Sequence, residues 1–145
     1  MNEKTMTTDQ VTTRIEQIIR DTVAAINPTP QLQMVDYLSQ PTTCVDPTDG
    51  GSSDRTVLNR HYRLVGIPTD RNGEVGQQVK IYWESKGYDI TSAVRLNSRD
   101  PQITAFTKPD EFSISLKTGG DGSLGIGSTS PCFWPNGTPE PSNDG

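Results

Sequence analysis

The chain is poor in the residues that most often carry chemistry. Among its 145 residues are one histidine, His61, and two cysteines, Cys44 and Cys132. A lone histidine argues against a metal centre built on clustered imidazoles and thiolates, and a Ser/His/Asp triad would have to use His61. No G-x-S-x-G motif stands near it. Apolar residues are scarce as well, at 30%, against roughly 45–50% in globular domains when glycine is counted. No apolar run approaches the roughly 18 residues of a membrane span. Positive charge is outweighed, with 13 Lys and Arg against 18 Asp and Glu and a net charge of −5. That balance argues against a nucleic-acid footprint and against electrostatic anchoring on anionic lipid. Residues 1–6 lack the apolar core of a signal peptide, so the expectation is a mature or trimmed form with Met1 and its neighbours added.

What is present organises into one domain. Both cysteines sit in loops rich in Pro, Gly and Asp, outside the regular blocks, so a Cys44–Cys132 bridge would tie the start of the domain to its end. Such a bridge belongs to an oxidising compartment. A cytosolic chain holding two free thiols is the alternative, since the pair lacks C-x-x-C spacing.

Residues 1–7 read as a disordered N-terminal segment, 8–134 as a single domain, and 135–145 as a disordered Pro/Gly/Ser-rich tail. Thr7 and Gln10 have capping-box spacing, and Val11, Ile15, Ile18, Ile19, Thr22, Val23 and Ile26 fall on one face of a helix that Asn27-Pro28 ends. Residues 31–38 read as a short edge strand or an extended segment. Residues 56–67 read as one long strand, with Leu58, Tyr62 and Leu64 on one face and His61 opposite. A second helix starts at Pro68, capped by Thr69 or Asp70, with Val75, Val79, Ile81, Tyr82 and Trp83 as its buried stripe. Gly87 stands where a left-handed C-terminal cap wants glycine. Gly73 and Gly76 either weaken its first turns or allow close approach to a sheet. Four short strands with tight turns follow, including Gly119-Gly-Asp-Gly122, and make an antiparallel meander with one buried face. The expected architecture is α+β: a two-layer sandwich with both helices on one face of a largely antiparallel sheet of four to five strands.

No catalytic, cofactor or metal motif emerges. Asp46, Asp49 and Gly50 superficially suggest a calcium loop, but the spacing is wrong and Pro47 intrudes. Asn136-Gly-Thr138 is formally a glycosylation sequon. Possible binding residues are Tyr82, Trp83 and Trp134, with Trp83 more naturally core and Trp134 free to pack or to protrude beside the bridge. Acidic residues available for acid–base work are Asp70, Glu74, Glu84, Asp89, Asp110 and Glu111, with no sign in the sequence that any two converge.

Several segments together resemble a known group. These are Arg14–Thr22, Cys44–Gly51, Tyr62–Ile67, Tyr82-Trp83-Glu84 with Lys86-Gly87-Tyr88, and Ser130–Pro139. Over roughly residues 10–140 the chain resembles uncharacterised actinobacterial secreted lipoproteins. The resemblance implies a disulfide, an extracytoplasmic, cell-membrane-associated or secreted location, and a lipidated cysteine ahead of the domain. Neither cysteine here follows a lipobox, so contact with the membrane would run only through an anchor missing from this chain. The reading is a noncatalytic binding domain of the bacterial cell envelope, whose partner is an envelope protein or envelope component and not nucleic acid. The alternative is a small-ligand or lipid carrier, with a pocket between helices and sheet lined by Val79, Tyr82, Trp83, Phe106, Phe112 and Ile114.

Overall fold

The computed structural model describes residues 6–44, 55–96 and 98–137. Helix α1 (Thr8–Ala24) opens with the expected reciprocal cap: the Gln10 amide donates to Thr7 Oγ1 at 3.3 Å, and the Thr7 amide to Gln10 Oε1 at 2.9 Å. Such a cap contributes about 1 kcal/mol. All seven residues assigned to its inner face are buried. Strand β1 (Gln31–Met34) follows, then β2 (Thr42–Thr43), β3 (Thr56–Val57), β4 (Asn59–Val65), helix α2 (Asn72–Ser85), β5 (Asp89–Val94), β6 (Gln102–Phe106), β7 (Ser113–Thr118) and β8 (Leu124–Thr129).

Six strands form one antiparallel sheet in the order β1-β4-β8-β7-β6-β5, and β2 pairs with β3 in a separate ribbon. The last four strands are the expected meander. Both helices pack on one face, through Val11, Ile15, Ile18 and Ile19 of α1 and Val75, Val79 and Trp83 of α2. The α+β two-layer sandwich is therefore the observed architecture.

Several expectations need correction. The sheet has six strands where four to five were expected, because residues 31–34 pair in full register with β4. The long strand over 56–67 breaks at Leu58, whose amide donates to the Ser130 hydroxyl at 2.9 Å. Neither Thr69 nor Asp70 caps α2; residues 69–71 form a tight 3-10 turn that runs into it. Ile81 is 63% exposed, since two positions beyond Val79 is about 200° around a helix.

Two glycines of α2 have defined reasons. Gly87 has φ +76° and closes the helix, with the Tyr88 amide donating to the Trp83 carbonyl at 3.0 Å. A Cβ on Gly76 would lie 2.8 Å from Pro101 Cβ, so glycine lets the helix approach the start of β6. Between the helices, Trp83 Nε1 donates to Thr22 Oγ1 at 3.0 Å, which in turn donates to the Ile18 carbonyl at 2.9 Å. The largest core residue thus leaves no orphaned donor.

Cys44 and Cys132 are joined, 88 residues apart in sequence, with Cα atoms 5.8 Å apart. The bond lies next to Phe133, which is buried and bridges Thr56 of β3. A disulfide suits an oxidising environment. The two ends of the fold also meet, the Thr8 amide donating to the Pro135 carbonyl at 3.0 Å. Structure thus continues past 134, through a turn at Trp134–Gly137, and Met6 and Thr7 join the domain. The remaining parts of the expected disordered ends, residues 1–5 and 138–145, lie outside the described residues. So do Asp46, Asp49, Gly50 and Thr138 of the sequon. Among the described residues, no helix is long and apolar enough to cross a membrane.

Candidate functional site

Alternation along a strand sends every second side chain to the face the helices leave uncovered. On β4 these are Asn59, His61, Arg63 and Val65; on β8, Gly125, Gly127 and Thr129; on β7, Ser113, Ser115 and Lys117. Register places His61 beside Gly127, and Gly127 beside Ser115. Lys117 lies beside Gly125, with Arg63 on the other side. Across all six strands of the sheet the sole carboxylate is Asp89, on the far edge strand β5. In an acidic chain this is a segregated, mildly cationic surface.

The His61 ring rests on glycine. A Cβ at Gly125 would approach its Nε2 to 2.9 Å, and one at Gly127 its Nδ1 to 2.8 Å. Glycine is otherwise unfavourable inside a strand and marks such a close approach. Burial, and then the positive charge of Lys117, hold the imidazole below its ordinary pKa of 6.5. It is therefore neutral at pH 7, with one nitrogen donating and one accepting. Among the described residues neither nitrogen has a hydrogen-bond partner. Lys117 likewise has no carboxylate partner among them, whereas Arg63 pairs with Asp121 at 3.1 Å and Arg60 with Glu16 at 3.2 Å.

A strap, residues 35–40, borders this face. The Val35 amide donates to the His61 carbonyl at 2.8 Å, the His61 amide to Ser39 Oγ at 2.9 Å, and Asn59 Nδ2 to the Gln40 carbonyl at 2.9 Å. So pinned, it holds Tyr37, 81% exposed, and Leu38, 44% exposed, at the margin of the sheet. Two shallow basins of about 420 and 350 Å³ meet here and share Leu38, His61 and Lys117. The first runs toward Ser113, Ser115 and Thr129, the second toward Tyr37 and Arg63.

The residues singled out from sequence do not form one site. Trp83 is fully buried, so it cannot touch a partner. Tyr82 is half-buried on α2. Trp134 is half-buried beside the disulfide, 5.9 Å from the Arg55 guanidinium in cation–π geometry. Of the carrier's lining, Val79, Trp83, Phe112 and Ile114 are core residues at 0% exposure. Four of the six candidate carboxylates have cationic partners: Glu74 with Arg71, Glu84 with Lys80, Asp110 with Arg14 and Glu111 with Lys108.

Asp110 illustrates a structural role. Burial works to raise its pKa, but hydrogen bonds from Arg14 and Thr107 hold it below the usual carboxylate value. The pair joins α1 to the β6–β7 turn. Tyr62 is pushed up to about 12, chiefly by burial and by its hydrogen bond to Glu16. Among the described residues, no group of three or more His, Cys, Asp or Glu side chains is placed to hold a metal ion.

Sequence reasoning passed over Tyr37, Lys117, Gly125 and Gly127. The available signals were glycine at alternate positions of a strand and the lack of carboxylates in the strand sequences. No protein-family model, curated protein or solved structure matches the chain.

Proposed function

We propose that this chain is a noncatalytic extracytoplasmic binding domain of the bacterial cell envelope, and that it engages its partner with the open face of the sheet. The observation that carries this reading is a His61 ring without a hydrogen-bond partner and a Lys117 without a carboxylate partner among the described residues, on a face whose one strand carboxylate, Asp89, lies on the far edge strand, and beside a pinned strap. Polar groups left without partners on a rigid scaffold are what recognition uses. The disulfide supports an oxidising compartment, and the resemblance to actinobacterial lipoproteins supports a lipid anchor in the natural form. The carrier reading has less support, because four of the six side chains that would line its pocket, Val79, Trp83, Phe112 and Ile114, pack into the core.

Photo-crosslinking in the native envelope tests the proposal. A photoreactive residue replaces Leu38 in one variant and Ile81, exposed on the opposite layer, in another. The expected result is a recurrent adduct from position 38 and none from position 81. Equal labelling from both, or none from either, overturns it.

A further inference from the structure

Resting on that reading, we propose that the open face takes an acidic oligosaccharide, with a sugar carboxylate at Lys117, sugar hydroxyls on His61 and the serine row of β7, and one ring against Tyr37.

Charge selects the anion. Arg63 is already matched by Asp121 and Arg60 by Glu16, so among the described residues this face offers one uncompensated permanent cation, Lys117. A single ammonium is a point charge suited to a monoanion. Each of the two arginines already balances a carboxylate, so Lys117 stands alone where a doubly charged phosphate would draw a second cation. The neutral imidazole of His61 adds no second charge, in keeping with one carboxylate per recognition unit. Nucleic acid and anionic membrane need many cations, which an acidic chain with one free lysine here does not supply.

Hydrogen bonding selects the sugar. A neutral imidazole both donates and accepts, as a sugar hydroxyl does. Ser115 Oγ shares one hydrogen bond with Thr104 Oγ1 at 3.2 Å, and Thr129 Oγ1 donates to Asn59 Oδ1 at 2.8 Å. Each hydroxyl therefore retains acceptor capacity toward the basin. Tyr37 supplies an exposed aromatic face on a strap held by backbone bonds, so stacking costs little ordering. Both basins fall within the roughly 300–1,000 Å³ of small-molecule sites. They meet at His61 and Lys117, which suits a ligand longer than one sugar.

The test is an NMR titration of the full, oxidised chain with oligogalacturonate, beside a neutral oligosaccharide of equal length. Amides of His61, Lys117, Gly125 and Gly127 should shift, and that of Ile81 should not. The neutral sugar should bind at least tenfold more weakly. Lys117→Gln should lose roughly tenfold or more in affinity, the loss of one charge-assisted contact. Lys117→Arg should retain most binding, and Tyr37→Ala should lose several-fold. Unchanged melting temperatures in these variants would separate lost contacts from lost folding.

Equal affinity for the neutral sugar, shifts away from the open face, or no saturable binding overturns the inference. So does tighter binding of a phosphorylated oligosaccharide or an acidic peptide at the same residues. Should oligogalacturonate fail while position 38 still yields a recurrent adduct, only the ligand class falls. Should both fail, the binding-face reading falls with it.

Discussion

The two faces of the main sheet are written by the same strands and obey opposite rules. On the covered face, Ile103, Ala105, Ile114, Leu116, Leu124 and Ile126 are at most 2% exposed and meet two helices. On the open face, one residue along each strand, stand Thr104, Ser113, Ser115, Lys117, Gly125 and Gly127. Because the side-chain period is two, stability and recognition are assigned by parity and can vary independently. The covered face has used its polar groups: Trp83 bonds Thr22, and Tyr62 bonds Glu16. The open face has kept some unused.

The largest effect should belong to neither face. Replacing both cysteines, Cys44→Ser with Cys132→Ser, opens a loop spanning 88 positions, which the chain-entropy model values at about 4–5 kcal/mol. Urea denaturation followed by tryptophan fluorescence should show one weakened transition. Two separate transitions would mean that the faces are not one cooperative unit. On the covered face, Trp83→Ala should cost about 3–5 kcal/mol through the cavity it leaves. On the open face, Lys117→Ala should change stability by less than about 0.5 kcal/mol. Similar losses from the two would break the comparison.

A sharper contrast comes from two glycines with the same clearance. A Cβ at Gly76 would meet Pro101 Cβ at 2.8 Å, and one at Gly127 would meet His61 Nδ1 at 2.8 Å. Pro101 is a buried ring on the backbone and cannot swing aside. Gly76→Ala should therefore destabilise by about 1–3 kcal/mol, despite alanine's better helix propensity. His61 is half-buried and can rotate at χ1, so Gly127→Ala should cost less than about 0.5 kcal/mol and displace the imidazole. Thermal denaturation reads the first effect, and histidine side-chain NMR shifts the second. A large loss at Gly127 would show that the imidazole is as fixed as the core.

Much of the covered layer was legible because its signals are local. Thr7 with Gln10, the six apolar positions and Thr22 on the inner face of α1 and its C-terminal turn, Gly87 and the Gly119–Gly122 turn each announce themselves within a few residues. Ile81 misled because apolar character outweighed its angle on the helix. The open face was illegible for a different reason. His61 meets Gly127 only because β4 pairs with β8 and not with its neighbour in sequence. No local period encodes that pairing. Polar strand positions also read as ordinary solvated surface, so the large aromatics attracted attention instead, and Trp83 proved to be core.

The smallest effect is the most direct test that the open face lacks a matching acid. Burial and Lys117 lower the His61 pKa in the folded chain, so the unfolded chain binds that proton more readily. By linkage, the contribution of His61 is present above its unfolded value of about 6.5 and is lost as pH falls through the lowered folded value. Asp110, whose folded pKa is also lowered, acts in a separate window below the ordinary carboxylate range, where Arg14 and Thr107 cease to favour its charged form. Stability should therefore dip first between about pH 7 and 5. His61→Gln should flatten that first dip and leave the acid limb in place. Lys117→Gln should shrink it without abolishing it, because burial is the larger cause. Urea midpoints across this range decide the matter. The groups facing the imidazole from β4 and β7 are Arg63, already held by Asp121, and Lys117, so nothing there rewards a protonated ring. A rise in stability on acidification would mean that a carboxylate reaches His61, and the two faces would no longer differ in what they leave unpaired.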